Sequence, residues 1–196
     1  MDGSWGSGDV SVRLRAALAA GTRPAPEHVG VLVERCGVEP DFFVRDMLTW
    51  ALTRHARSLT VPRLLSELRS EVPQARSQAL HTLSKIGDAT TWPAITVELL
   101  TDDDDEVARA AWRTAVGLVP QGHEAGLAET LATQFGRGGG EVRRSLGRAF
   151  VVLGEVALPA VRRAMTDRDA GVRAHAAATE RVLLDPDAGS EGWAGC

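Results

Sequence analysis

The chain has 196 residues, of which 44% are hydrophobic, 24% charged and only 5% aromatic, and its formal net charge is −4. At that length a compact fold removes roughly 70% of the surface of the unfolded chain, so a core needs neither disulfides nor a metal, and disordered or fibrous classes are excluded. The acid excess argues against a nucleic-acid coat protein but leaves a local basic patch open. The longest apolar stretch, residues 149–161, contains Glu155 and falls short of the ~18 residues that a membrane span needs.

In chain order, MDGSWGSGD lacks periodic apolar positions and reads as a flexible tail over residues 1–9. It has no basic start followed by an apolar run, so no signal peptide is expected, and the cytoplasm is the expected location. Val10, Val12, Leu14 and Leu18 then mark one helix, stopped by Gly21 and the Pro24/Pro26 pair. Cys36, following an apolar helix, is expected to be a buried filler, and Cys196 an accessible thiol in a flexible tail over residues 187–196. Two cysteines are too few for a disulfide framework.

From there the chain repeats itself. The segments FFVRDMLTWAL, PQARSQALHTL, DEVARAAWRTAV, GEVRRSLGRAF and AGVRAHAAATERVL align on Val44, Ala75, Val107, Val142 and Val172, at spacings of 31, 32, 35 and 30 residues, close to one helical hairpin each. Upstream of three of them lie VPRLLSELRS, WPAITVELLT and LPAVRRAMTD, with Pro62, Pro93 and Pro159 in the place suited to the first turn of a helix. The turns SEVPQ, DDDDE, RGGGE and DRDAG separate the two helices of a unit, and their Asp and Gly residues are helix-start signals. The pattern predicts an all-α solenoid of about five hairpins preceded by one N-terminal helix, forming a single domain over residues 10–186.

VPRLLSEL with VPQARSQALHTLSKIGD, and LPAVRRAMTDRDAGVRAHAAATERVL, resemble HEAT repeats in the short form shared with bacterial HEAT-like and phycobilin-lyase-type proteins; the likeness covers about residues 26–186. It implies an α–α superhelix of armadillo-like build. It implies no particular chemistry, because such repeats serve scaffolds, adaptors, regulators, chromophore lyases and DNA repair proteins alike.

With each longer helix numbered from its leading residue, positions 0, 4, 8 and 11 cluster on one face. They hold Val44, Leu48, Leu52, Ala75, Ala79, Leu83, Ile86, Val107, Ala111, Ala115, Leu118, Val142, Leu146, Phe150, Leu153, Val172, Ala176 and Leu183, the expected packing seam. Glu180 falls at the seam of the last helix, which is therefore expected to be partly wet.

Positions 2, 6 and 10 point away from that seam, towards what the resemblance implies is the concave surface. Asp46, Trp50, Arg54, Ser77, His81, Lys85, Arg109, Arg113, Gly117, Arg144, Arg148, Val152, Ala174, Ala178 and Val182 lie there, six cations against one anion. In an acidic chain this asymmetry predicts an electropositive trough, with few carboxylates three or four residues away to neutralise it. Arg45, Arg76, Arg143 and Arg173, at position 1, have a structural reading: the resemblance implies pairing with turn carboxylates that ties neighbouring hairpins together. Trp112 is expected near the core edge, Trp92 as a staple beside Pro93, and Trp50 as an exposed anchor.

The acidic run Asp102–Glu106 lacks the spaced ligands and central glycine of a calcium loop and suits helix capping. Arg137–Gly140 lacks the setting of a phosphate loop and reads as a stretched turn. His28, His55, His81, His123 and His175 do not pair at ligand spacing on any one helix, and no nucleophile–base arrangement is found. The sequence therefore predicts a non-enzymatic protein-binding module with no cofactor. Its trough residues Trp50, Arg54, His81, Lys85, Arg109, Arg113, Arg144 and Arg148 would take an acidic segment of another protein. The alternative is nucleic-acid binding in the manner of HEAT-like alkylpurine glycosylases, with Asp46 and Trp50 one helical turn apart in a shared pocket; a chromophore-lyase-like role is a further alternative.

Overall fold

The computed structural model describes residues 3–185, and the expected tail at 187–196, with Cys196, lies outside them. Eleven α-helices and no strand occur among the described residues: α1 Val10–Thr22, α2 His28–Val38, α3 Phe42–Arg54, α4 Arg57–Glu67, α5 Pro73–Ile86, α6 Val97–Leu100, α7 Asp105–Leu118, α8 Glu124–Ala132, α9 Gly140–Leu153, α10 Leu158–Ala164 and α11 Ala170–Leu184. This is the expected class, one leading helix and then five hairpins. No helix among the described residues is long and apolar enough to cross a membrane.

Three of the five longer helices start on a capping aspartate. Asp41 caps α3 through the Val44 N–H at 3.0 Å; Asp104 caps α7 through Glu106 and Val107; Asp169 caps α11 through Gly171 and Val172. Residues 3–9, expected as a tail, carry a 3₁₀ turn over Gly3–Gly6; the Ser7 carbonyl accepts from Arg13 at 2.7 Å, and Asp9 caps α1.

The shorter helices follow the proline rule less closely. Pro159 is in the first turn of α10, but α4 begins at Arg57 and encloses Pro62, and Pro93 lies in a 3₁₀ segment, Ala89–Ala94, ahead of the four-residue α6. A proline lacks the N–H that would bond the carbonyl four residues back; α4 accommodates Pro62 without a break, whereas the third hairpin's first helix is broken ahead of α6.

Contacts gather the chain in two compact units that divide between Ala94 and Ile95. The boundary falls at that broken segment. In the first unit α1 packs on α3, α2 on α3 and α5, and α4 on α5, around Leu32, Leu48, Leu52, Leu64, Leu80 and Leu83. In the second, α7 packs on α9, α9 on α11, and α8 and α11 on α10, around Trp112, Leu131, Leu146 and Phe150. The seam positions are buried as expected except Leu153, Val172 and Leu183, which are half-buried. In α11 the buried set is His175, Ala176, Ala178, Thr179 and Val182, so this helix is rotated about its axis relative to the others, and Ala178 and Val182 leave the outward face predicted for them. Glu180 is half-buried and meets Arg162 at 2.7 Å.

A buried ionic knot organises the first unit. Glu39 is fully buried and accepts from Arg13 Nε and Nη2, each at 2.8 Å, from Arg35 Nη2 at 3.0 Å and from the Asp41 N–H at 3.1 Å. Burial by itself would raise the Glu39 carboxyl; Arg13, the Asp41 N–H and Arg35 outweigh it and hold it below the usual range. Gln74 donates to the Cys36 and Glu39 carbonyls at 3.0 and 2.9 Å, fastening the start of α5 to the end of α2. Cys36 is buried, which pushes its thiol up to about 12, so it is an inert filler.

Candidate functional site

The outward positions of the longer helices divide between the two units. In the first, α3 presents Asp46, Trp50 and Arg54, and α5 presents His81 and Lys85; Ser77, expected on the same face, is buried and donates to the Gln74 carbonyl. His81 is half-buried, while Asp46, Arg54 and Lys85 are exposed and enter no ion pair among the described residues. Trp50 is 38% exposed. Its inner edge rests on α1 at Gly21: a Cβ there would lie 2.7 Å from Trp50 Cε3 and 2.9 Å from the Ala51 Cα. Gly21 thus lets α1 and α3 approach and seats the indole. Gly21→Ala is expected to lower stability, because overpacking costs about 1–3 kcal/mol and exceeds the ~1 kcal/mol that alanine gains in a helix. A lower urea midpoint with altered tryptophan emission is the outcome expected, and an unchanged spectrum contradicts it.

In the second unit, Arg109 and Arg113 on α7 and Arg144 and Arg148 on α9 share the outward face of two packed helices. The expectation of few neutralising acids is only half met. Arg109 reaches Glu106 at 2.6 Å and Glu141 at 3.7 Å, and Arg144 reaches Glu141 at 3.9 Å. Both acids sit three residues ahead of an arginine, in the first turn of their helix, where the dipole also favours them. Arg113 and Arg148 are exposed and have no carboxylate within ion-pair reach among the described residues. Partial desolvation, then the like charge of Arg109, lowers the Arg113 guanidinium from its ordinary value, while Glu106 acts the other way.

The position-1 arginines have structural bonds, each to carbonyls of the turn ahead of its own helix. Arg45 donates to the Glu39 and Pro40 carbonyls at 2.9 and 2.7 Å, Arg76 to Ser70 at 2.8 Å, Arg143 to Gly138 and Gly136 at 3.2 and 3.3 Å, and Arg173 to Asp167 and Arg168, both at 2.8 Å. In Arg45 and Arg173 a single nitrogen, Nη1, serves both carbonyls, and turn carbonyls lack helical partners.

The weaker motifs are absorbed by packing. Asp102 accepts from the Asp104 N–H at 2.9 Å, Asp104 caps α7, and Asp105 pairs with Arg137 at 2.8 Å. Arg137 also lies 6.0 Å over the ring of Trp112, which is fully buried and donates to the Leu100 carbonyl at 2.8 Å. The RGGG segment is a turn in which Gly138 has φ +62° and a Cβ would stand 2.9 Å from Val142. Trp92, within the 3₁₀ segment, is half-buried.

Three features escaped the sequence. Phe42 and Phe43 open α3 with 64% and 72% of their surface exposed, and their rings lie edge to face at 5.6 Å. His28 and His55 come within 6.3 Å, ring to ring, although neither shares a helix spacing with the other. Among the described residues no group of three or more ligating side chains surrounds them or any other point. His175 is fully buried in the second unit: the Gly136 N–H donates to Nδ1 at 3.1 Å, and Nε2 lies 3.0 Å from the Arg143 carbonyl. An amide can only donate and a carbonyl only accept, so Nε2 carries the single proton.

Comparison with known proteins accords with the repeat reading. The family of HEAT repeats matches residues 39–117. No curated protein matches the chain. Among solved structures, the crystal structure of an engineered protein is 19% identical, with 94% of each chain covered and a TM-score of 0.49. Val44, Ala75 and Val107, each near the start of the longer helix of a hairpin, lie inside the matched span, so residues 39–117 are similar to HEAT repeats.

Proposed function

We propose that this protein is a non-catalytic interaction module whose second unit captures an acidic segment of another protein on the arginine face of α7 and α9. Helical repeats of the HEAT kind commonly serve as interaction scaffolds. The observation that carries the finer reading is the pair Arg113 and Arg148, exposed on adjacent helices and not ion-paired among the described residues. Arg109 and Arg144, already tied to Glu106 and Glu141, set the edge of the same face. Arginine suits the task, since its planar fork takes a carboxylate through two bonds.

The double charge reversal Arg113→Glu/Arg148→Glu tests the reading. An acidic, glutamate-rich peptide carrying a fluorophore should bind the native protein and weaken by at least about tenfold with the variant, as expected for the loss of charge-assisted bonds. Helical content and urea midpoint should stay the same, because both residues are exposed. Equal binding by the two proteins overturns the proposal. Duplex DNA is the second ligand to assay, because nucleic acid would use the same guanidinium face. Retention of DNA with a steep inverse dependence on salt, in preference to the peptide, would assign the face to phosphates instead.

A further inference from the structure

The first unit holds a depression of about 350 Å³ lined by Asp46, Thr49, Trp50 and Thr53 of α3 and Lys85 of α5. Its chemistry differs from that of the arginine face. One carboxylate and one ammonium line the same hollow, both exposed, yet no ion pair joins them. They stand on different helices, Asp46 on α3 and Lys85 on α5. The third group, the Trp50 indole, is half-exposed and seated on Gly21, and its N–H has no acceptor among the described residues. The two threonine hydroxyls are turned to the protein: Thr53 donates to the Trp50 carbonyl at 2.7 Å, and Thr49 shares a 3.4 Å bond with Thr82. The free recognition groups are therefore an anion, a cation and an aromatic donor with an open face.

Electrostatics selects the ligand. A purely anionic ligand would be drawn to Lys85 but repelled by Asp46, and a purely cationic one would meet the reverse. A molecule with one charge of each sign satisfies both, and the two charge-assisted bonds fix its direction. The volume lies at the small end of ligand pockets, about 300–1,000 Å³, which favours a molecule of amino-acid size. An apolar side chain would cover the indole face, and an ammonium beside that ring gains a cation–π contribution.

We propose that this depression binds a free α-amino acid with an apolar side chain, its ammonium on Asp46, its carboxylate on Lys85 and the Trp50 N–H, and its side chain on the indole. The site is independent of the arginine face, so either can fail without the other.

Calorimetric titration of the whole protein with L-phenylalanine, N-acetyl-L-phenylalanine and L-phenylalanine amide provides the test. The free amino acid should bind saturably, and each blocked form should bind at least about tenfold more weakly, because each lacks one charge. Asp46→Asn should weaken the free amino acid and abolish discrimination against the acetylated form, while Lys85→Gln should do the same for the amide. Both positions are exposed, so far-ultraviolet circular dichroism should be unchanged. Equal binding of the free and blocked forms, absence of saturable binding by the free amino acid at millimolar concentration, or unaltered discrimination in both variants overturns the proposal.

Discussion

Replacing Glu39 by alanine is expected to destabilise the first unit by about 3–5 kcal/mol, the scale of an ion left unpaired in a protein interior. A typical domain has a total stability of about 5–15 kcal/mol, so this single change brings the unit close to unfolding. The reason lies in the donors left behind. Glu39 is fully buried and takes two bonds from Arg13, one from Arg35 and one from the Asp41 N–H. Arg35 is partly exposed and can turn to water, but the Arg13 guanidinium is enclosed, with the Ser7 carbonyl as its remaining hydrogen-bond partner among the described residues. Removing both charges should therefore be gentler than removing one: Arg13→Met/Glu39→Leu should recover much of the stability lost in Glu39→Ala. Urea unfolding followed by circular dichroism measures both, and a single variant as stable as the native protein would refute the role assigned to this knot.

Acid is expected to loosen the second unit through His175. Burial, assisted by the nearby Arg143 charge and opposed by the bond to the Arg143 carbonyl, pulls the imidazole down to about 4 from its ordinary 6.5. The proton taken up in acid would go to Nδ1, which faces the Gly136 N–H, so the folded state resists protonation while the unfolded chain accepts it. The contribution of His175 to stability is then full above pH 6.5, falls as the pH drops towards 4 and levels off below it. Over that window the difference is about 3 kcal/mol, from ~1.36 kcal/mol for each pH unit. His175→Leu should be less stable at neutral pH, since the Gly136 N–H and Arg143 carbonyl lose their partner, but its stability should change less between pH 6.5 and 4. Urea midpoints across the pH range decide the matter, and parallel profiles for the two proteins would exclude His175 as the source.

The fold was legible because its signal is periodic. Val44, Leu48 and Leu52, or Val107, Ala111 and Ala115, recur at helical spacing and are all buried, and Asp104 and Asp169 mark helix starts by an interaction that acts within three residues. What depended on distance along the chain was less legible. The Arg13–Glu39 bond joins residues 26 apart, and the His175 bond to Gly136 spans 39. Neither has a local pattern. The site reading shows the same division: the outward placement of Arg113 and Arg148 follows from helical phase, whereas the pairing of Arg109 with Glu141 depends on how α7 and α9 pack. The contacts of His175 in α11 are likewise ones that no apolar periodicity encodes.

The arginine hooks bear on how such a chain acquires its structure. Arg45, Arg143 and Arg173 each grip carbonyls only five to seven residues upstream, and Arg76 reaches back six. Closing so short a segment carries little loop entropy, and it fixes the corner between two helices before any distant partner arrives. Contacts of this low sequence separation favour fast folding, and repeated at four corners they allow ordering to nucleate at several points along the chain.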